Sequence, residues 1–411
     1  MTTAAWITTE FIRAIPKSDL HVHLDGSLRI GTLIELARSQ KIALPSWSEA
    51  GLREMVFKAR YEDLADYLRG FQYTCAVLRT PEALERVAYE LAIDNFTEGV
   101  RYIEPRFAPQ LNAGARLAVE EVLLAVNAGL DRAKGEINRR VEIRSSKAPP
   151  FDYGIIGCAM RKFDDQYSPY YANFVSCHRY SPAPDLYPLA SLDLVQALVD
   201  IRDRKGIPIV GFDLAGEEKG FPAEAHRETF DFAHRHFLKK TVHAGEAYGP
   251  PSIFQAITDC HADRIGHGTH LFASDLVEHI TDPKEREDYT KALVQYIADG
   301  RITIEVCLTS NLQTTPSIGA INNHPLRRML SAQLPFSFCT DNRLVSNTTV
   351  CDEIAKAVTA FPIDPGQFKD IIIYGFKRSF SPLPYVEKRE YVRRVIDYYE
   401  AIEARFRKDN R

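Results

Sequence analysis

The sequence lacks the features of a disulfide-stabilised, membrane-spanning or nucleic-acid-binding protein. Its seven cysteines form no CxxC pair, and an odd, scattered set is typical of reduced thiols in the cytosol. No apolar run approaches the roughly 20 residues that span a bilayer. The 51 Lys and Arg are outnumbered by 55 Asp and Glu, whereas binding nucleic acid takes a clustered excess of cations. We therefore expect neither a nucleic acid nor a membrane as a partner.

The first residues give no targeting signal. The segment 1–16 has no basic stretch followed by an apolar stretch, which is how a secretory signal begins. Together with the unpaired cysteines, this predicts a cytoplasmic protein.

Short apolar runs alternate with longer amphipathic segments along the chain. Eight runs are predicted as strands: 18–23, 100–104, 153–157, 207–213, 240–243, 264–267, 303–307 and 336–341. Nearly continuous apolar strands separated by helices indicate a parallel sheet that is covered on both faces. Eight such strands are the number that closes a (β/α)8 TIM barrel. We therefore predict one α/β domain of the metal-dependent hydrolase type over 1–411.

Two segments are longer than a barrel needs. Residues 30–78 are predicted mostly helical and lie between the first two strands, where they could form a helical cap over the barrel mouth. Residues 164–190 are rich in Tyr, Pro, Asp and Ser, and we expect a long irregular loop there. Loops of that length are often functional.

Histidines and an aspartate stand where predicted strands end. The first strand ends in His21-Val22-His23, and alternation places both imidazoles on one face. Later strands end at His243, His267 and Asp341. Any one of them could be an ordinary core residue, but functional groups of barrels lie at these strand ends. The set therefore predicts a single site.

The residue types at these strand ends favour zinc. Three imidazoles and one carboxylate suit Zn²⁺ and leave a position for water. Bound zinc lowers the pKa of that water to about 7. Glu246 follows His243 by three residues and could reach the site without ligating the metal, as a general acid must.

Five ordered motifs resemble the adenosine deaminase family of the amidohydrolase superfamily. They are HVHLDGS at 21–27, DLAGE at 213–217, TVHAGE at 241–246, IGHG at 265–268 and Thr340-Asp341. The segment 102–109, YIEPRFAP, is similar to the family's second strand. The resemblance runs from about Pro16 to Phe380 and implies deamination of adenosine or deoxyadenosine to inosine-type products and ammonia.

The resemblance also implies a ligand set. His21, His23, His243 and Asp341 would hold one Zn²⁺ per chain. Asp341 is also expected among the catalytic groups, and His23 among those that contact substrate. The partners implied are a purine nucleoside and water, and the oligomeric state stays open.

Further roles follow from the matching positions. His267 would orient and deprotonate the attacking water, and Glu246 would protonate purine N1. Gly216 would donate its backbone N–H to N3, since a residue without Cβ allows close approach. Asp25 would contact a ribose hydroxyl. The remaining histidines, among them His178 and His324, have no motif context and are not predicted to act.

One position departs from the family pattern. Most members carry a second Asp after the metal Asp, whereas this chain has Asn342. The family residue hydrogen-bonds purine N7, which is an acceptor. An Asn amide can donate to N7 without any pKa adjustment, so Asn342 is expected to bind substrate, although the preferred base is left open.

Several alternatives remain at this stage. The same chemistry could act on adenine or on a larger nucleoside such as aminodeoxyfutalosine. The segment 64–71 resembles the apolar cap of nucleoside deaminases, which favours adenosine. An ester or lactone hydrolase would use two metals and a modified lysine, and the strand ending at Met160-Arg161 offers no inward-facing lysine in the expected place. The base-editing deaminase fold needs P-C-x-x-C, which is absent. An inactive binding protein would show damaged ligands, and none is damaged.

Overall fold

The computed structural model describes residues 6–409, so the first five residues of the segment searched for a targeting signal lie outside the described residues. The strands are β1 (Lys17–His23), β2 (Val100–Phe107), β3 (Asp152–Tyr153), β4 (Ile155–Met160), β5 (Ile209–Ala215), β6 (Lys239–Ala244), β7 (Arg264–His267), β8 (Thr303–Val306) and β9 (Phe336–Phe338). Within the described part, no helix is long and apolar enough to cross a bilayer.

The α-helices alternate with these strands. They are α1 (Thr9–Ala14), α2 (Ile30–Gln40), α3 (Glu49–Met55), α4 (Leu64–Leu68), α5 (Phe71–Val77), α6 (Pro81–Thr97), α7 (Pro109–Asn112), α8 (Val119–Asn138), α9 (Val141–Arg144), α10 (Pro169–Cys177), α11 (Ala183–Lys205), α12 (Arg227–Arg235), α13 (Pro250–Thr258), α14 (Pro283–Gly300), α15 (Leu308–Thr314), α16 (Leu326–Ser331), α17 (Val350–Ala360), α18 (Pro365–Arg378) and α19 (Tyr385–Asp409).

All strand pairs are parallel, and their order follows the chain from β1 to β9. The short β3 pairs β2 just before β4 does, so β3 and β4 together form one barrel strand, interrupted at Gly154. The barrel closes where the residues after β9 meet β1. There the Asp341 amide donates to the His21 carbonyl at 2.8 Å and the His23 amide to the Asp341 carbonyl at 2.7 Å. The prediction of an eight-stranded α/β barrel is confirmed.

A layer of buried charges fills the barrel beneath the mouth. The Arg106 guanidinium lies between Asp213 at 2.9 Å and Glu305 at 3.0 Å. Arg264 donates to Glu305 at 2.6 Å and also to Glu104. Buried guanidinium groups are tolerated when carboxylates pair them and accept their hydrogen bonds. This layer fixes Asp213 and Glu305 directly below the candidate site.

Helices α2–α5 occupy the segment predicted as a cap. Its tyrosines reach the loop that follows β9: the Tyr61 hydroxyl donates to the Val345 carbonyl at 3.0 Å, and the Tyr67 hydroxyl bonds the Ser346 hydroxyl at 2.7 Å. The segment therefore lies against the barrel mouth, at the end where the strands finish.

The expectation of an irregular loop over 164–190 is wrong for most of that segment. Helix α10 begins after Ser168, whose hydroxyl accepts from the Tyr171 amide, and Pro169 occupies its first turn. Helix α11 begins after Pro182. Proline is favoured at the first helical position, where no amide is needed. The Tyr-rich composition also serves packing, since the rings of Phe163 and Tyr171 stack with centroids 4.1 Å apart.

Candidate active site

Four predicted ligands converge at the barrel mouth. One ligand atom from each of His21, His23, His243 and Asp341 lies within 4.8 Å of all the others. The Nε2 atoms of His23 and His243 are 3.1 Å apart. An Asp341 carboxylate oxygen lies 3.4 Å from Nε2 of both His21 and His23. The strand ends therefore present three imidazole nitrogens and one carboxylate to a common point.

Carboxylates behind the histidines fix the orientation of two rings. Nδ1 of His21 lies 2.8 Å from Glu305, and Nδ1 of His243 lies 3.2 Å from Asp213. Each Nδ1 therefore carries the hydrogen, which leaves Nε2 as the free lone pair. Nε2 of His21 is buried without a hydrogen-bond partner, as expected for a nitrogen that ligates a metal ion.

The protonation of this cluster follows its burial. Burial lowers the pKa of His23 and of His243, which favours neutral, metal-binding rings. At His21, burial and Arg106 lower the pKa, but the nearby carboxylates of Asp341 and Glu305 outweigh them and raise it. The neighbouring histidines hold the pKa of Asp341 well below its usual range despite burial, so this carboxylate is ionised.

Glu246 lies beside the cluster and is chemically distinct from it. Its side chain is buried, and burial together with Asp341 and Glu218 raises its pKa well above the usual range. A carboxyl group in this state holds its proton more tightly than usual and is suited to act as a general acid. One of its oxygens lies 3.8 Å from Nε2 of His267. The site therefore pairs a carboxyl group of raised pKa with an imidazole.

Glu218 holds the loop that carries Glu246. Its carboxylate accepts backbone N–H bonds from Gly245 at 2.8 Å, Glu246 at 3.0 Å, Ala247 at 2.6 Å and Tyr248 at 3.0 Å. It also accepts from the Ser252 hydroxyl. These bonds fix the peptide groups on both sides of Glu246.

The residues predicted to contact substrate lie in three different environments around the metal ligands. Asp25 is buried, one of its oxygens has no partner, and burial raises its pKa to about 7. It lies 4.0 Å from Nδ1 of His23. Asn342 is buried on Gly26, where a Cβ would stand 1.8 Å from the Asn342 amide oxygen. Gly216 follows β5 with a φ of +99°, a conformation that suits glycine.

One N–H of the Asn342 amide is engaged within the protein. Its Nδ2 donates to the Tyr67 hydroxyl at 2.9 Å, and its Oδ1 has no partner. Donation to a purine nitrogen would come from the second N–H or from the whole amide group after a half-turn about its last side-chain bond.

Sequence reasoning missed Glu218, Glu305 and Asn311. Glu218 directly follows the DLAGE motif, and Glu305 stands in the predicted strand 303–307. A charged residue in an otherwise apolar strand is a usable signal, because buried charges need a partner. Asn311, whose Nδ2 lies 2.9 Å from Nδ1 of His267, is on helix α15, where the sequence offers no such signal.

A parallel barrel with a histidine and carboxylate cluster at the C-terminal ends of its strands defines the amidohydrolase class of barrels. Within this class, the chain belongs to the adenosine deaminase family. The sequence model of that family matches residues 16–168 and 185–398. The adenosine deaminase of Mycobacterium avium (strain 104) is 34% identical over 377 residues, which cover 91% of this chain and 92% of that protein.

A second relative is longer than this chain. A protein of Dictyostelium discoideum described as a probable adenosine deaminase is 32% identical over 397 residues. The match covers 96% of this chain and 44% of that protein, so the chain spans less than half of the relative's length.

Solved structures share the fold at low sequence identity. The adenine deaminase of Arthrobacter aurescens superposes with a TM-score of 0.71 at 20% identity, covering 94% of this chain and 100% of its own. An amidohydrolase from Burkhoderia ambifaria with bound Zn gives a TM-score of 0.75 at 17% identity, covering 99% and 96%. These likenesses concern the fold alone.

Proposed function

We propose that this protein is a zinc-dependent adenosine deaminase of the cytoplasm, with the barrel as one catalytic domain. It would convert adenosine and deoxyadenosine to inosine and deoxyinosine, with release of ammonia. The observation that carries the proposal is the buried Glu246 carboxyl beside the four-ligand cluster, where burial raises its pKa and favours a proton donor. The mycobacterial relatives named adenosine deaminase support the choice of substrate.

The donor set fits zinc. His21, His23, His243 and Asp341 would hold the ion, and the unpartnered, buried Nε2 of His21 would gain a ligand bond. When bound, the ion supplies hydroxide at neutral pH and polarises the reacting centre. A cation would also offset the repulsion between the Nε2 lone pairs of His23 and His243, which lie 3.1 Å apart.

The remaining chemistry belongs to the chain's own residues. Glu246 would donate its proton to purine N1, which makes C6 electrophilic. His267 would orient the oxygen that attacks C6. Gly216 would offer its amide to N3, and Asp25 would accept from a ribose hydroxyl. The cap helices would exclude water from the bound nucleoside.

A nucleoside fits the site better than free adenine. The buried Asp25 carboxyl has an oxygen without a partner, and a ribose hydroxyl would supply the missing donor. Adenine would leave that group unpaired, and an unpaired buried polar group costs about 1–3 kcal/mol. A larger nucleoside is the second candidate, because helix α10 and the aromatic residues around it could shape a wider mouth.

A substrate panel tests the proposal. Adenosine, deoxyadenosine, adenine, AMP and a 5′-extended adenosine would be followed by the absorbance change on deamination. We expect adenosine and deoxyadenosine to react fastest, with about one zinc per chain by metal analysis. Faster turnover of adenine, or turnover of the extended nucleoside alone, would overturn the substrate. Two metals per chain, or full activity without metal, would overturn the mononuclear site.

A further inference from the structure

Three buried side chains connect the candidate active site to the first turn of helix α16. The Leu326 amide donates to Nδ1 of His324 at 3.1 Å. Nε2 of His324 lies 3.2 Å from Oδ1 of Asn311, and Nδ2 of Asn311 lies 2.9 Å from Nδ1 of His267. His324, Asn311 and His267 are each at most 1% exposed, so water does not compete for these bonds.

The Leu326 amide at one end of this series of hydrogen bonds fixes which partner donates in each of them. A peptide N–H can only donate, so Nδ1 of His324 must be the acceptor and its Nε2 must carry the hydrogen. The Asn311 group facing that N–H must therefore be the amide oxygen. The Asn311 amide nitrogen then faces His267, where two N–H groups would repel. Nδ1 of His267 is consequently an acceptor, and its hydrogen sits on Nε2.

We propose that His324 and Asn311 are positioning residues that hold His267 in the tautomer with its hydrogen on Nε2. His267 then donates a hydrogen bond to the oxygen that attacks the purine and does not take a proton from it. This assignment rests on the proposed deamination and revises the role of base that the family resemblance implies for His267.

The chemistry balances without a base at His267. Hydroxide forms the new C–O bond at C6, the C6=N1 π electrons move to N1, and N1 takes the proton of Glu246. The new C6 hydroxyl then gives up its proton to the amino group, the C6–N bond breaks, and ammonia leaves as C6=O forms. His267 Nε2 faces this region, 3.8 Å from a Glu246 oxygen. A hydrogen-bond donor at this place holds the attacking oxygen in line with C6, and such orientation of the reacting atoms lowers the barrier.

The first test reads the tautomer directly. In ¹⁵N-histidine-labelled holoenzyme, protonated and unprotonated ring nitrogens resonate at well-separated frequencies, and a His267→Gln variant assigns the signal. We expect wild-type His267 to carry its hydrogen on Nε2. A hydrogen on Nδ1 would overturn the proposal, whatever the enzyme's substrate is found to be.

The second test changes Asn311 so that the hydrogen bond between Asn311 and His267 reverses its direction. In Asn311→Asp, a carboxylate accepts from both histidines, so the His267 hydrogen should move to Nδ1 and leave Nε2 a bare acceptor. Misplacing a reacting atom typically lowers kcat about 10²-fold, and we expect a loss of that size with metal content unchanged. The exposed Asn322 provides the matched control, since Asn322→Asp makes the same chemical change in the short 3-10 helix before His324 and should leave kcat unaltered.

The two mechanisms predict opposite results in Asn311→Asp. If His267 were the base, the new carboxylate would strengthen it, and kcat would be kept or raised while the spectrum shows the hydrogen on Nδ1. That result would overturn the proposal. If the variant does not fold, the wild-type spectrum alone decides. Absence of turnover with every purine in the panel would refute the proposed function but leave the tautomer assignment standing.

Discussion

The metal side and the substrate side of the candidate site differ in how their polar atoms are satisfied. On the metal side, His21 and His243 are backed by Glu305 and Asp213, and Arg106 bridges those two carboxylates. On the substrate side, one oxygen of Asp25 and the amide oxygen of Asn342 are buried without partners. The protein therefore completes the hydrogen bonds behind the metal ligands and leaves acceptors on the substrate side unpaired.

The two sides are therefore preorganised in different ways: the metal side holds its ligand rings rigidly, and the substrate side holds unpaired acceptors that a ligand can satisfy. A buried acceptor without a donor destabilises the folded chain by about 1–3 kcal/mol, and a ligand that supplies the donor recovers that free energy on binding. The metal side gains from rigidity, because ring orientation decides ligand geometry. Substitutions on the two sides should accordingly change different kinetic parameters.

The largest effect is expected for Glu246→Gln. An amide cannot supply the proton that Glu246 holds, and general acid catalysis by one group contributes about 10²–10⁴-fold. We expect kcat for adenosine to fall within that range, while zinc content and the affinity for a non-reacting purine analogue change little. Steady-state kinetics, metal analysis and calorimetry on the same preparation would check this. A kcat within a few-fold of wild type would show that N1 is protonated by another group.

An intermediate effect is expected for Glu218→Gln. The variant keeps one acceptor oxygen but turns an N–H₂ group toward backbone donors, so the Glu246 loop loses part of its anchorage. A loss of about 1–3 kcal/mol corresponds to roughly a ten- to hundred-fold fall in kcat. The matched control is Glu217→Gln, which alters only an ion pair of partly exposed side chains with Lys162.

The pH profile of Glu218→Gln shows whether Glu218 acts on the pKa of Glu246 or only supports the structure of its loop. Glu246 acts as an acid, so activity falls as pH rises through its pKa. The Glu218 charge is one cause of that raised pKa, and its removal lowers the pKa. The falling limb of the kcat profile should therefore move to lower pH in Glu218→Gln and stay in place in Glu217→Gln. An unmoved limb would assign Glu218 a purely structural role.

The sequence predicted the barrel and the metal side better than the cap and the substrate side. Strand-end residues such as His21 and Asp341 could be placed together because parallel strands bring their carboxyl ends to one edge. Helix α10 was missed because its tyrosines and prolines suit a loop as well as a helix start. The Asn342 contact to Tyr67 depends on which way an amide turns within a packed pocket, and no periodicity encodes that.

The smallest effect is expected for Tyr67→Phe, which tests the substrate side. The Tyr67 hydroxyl receives the Asn342 amide nitrogen at 2.9 Å and bonds Ser346 at 2.7 Å. After a half-turn of the amide, the same hydroxyl can donate to Oδ1, with the Ser346 hydroxyl donating to Tyr67 in turn. Asn342 Nδ2 is then free to donate to purine N7. Tyr67 would thus support the orientation that binds substrate.

Loss of one such hydrogen bond typically amounts to about 1 kcal/mol, or roughly fivefold in kcat/KM for adenosine. The informative comparison is with 7-deazaadenosine, which offers C–H in place of N7 and gains nothing from a correctly turned amide. In Tyr67→Phe, the preference for adenosine over 7-deazaadenosine should therefore shrink. Equal losses with both substrates would show that Tyr67 only packs the cap against the loop after β9, and Asn342 would then reach the purine, if at all, without its help.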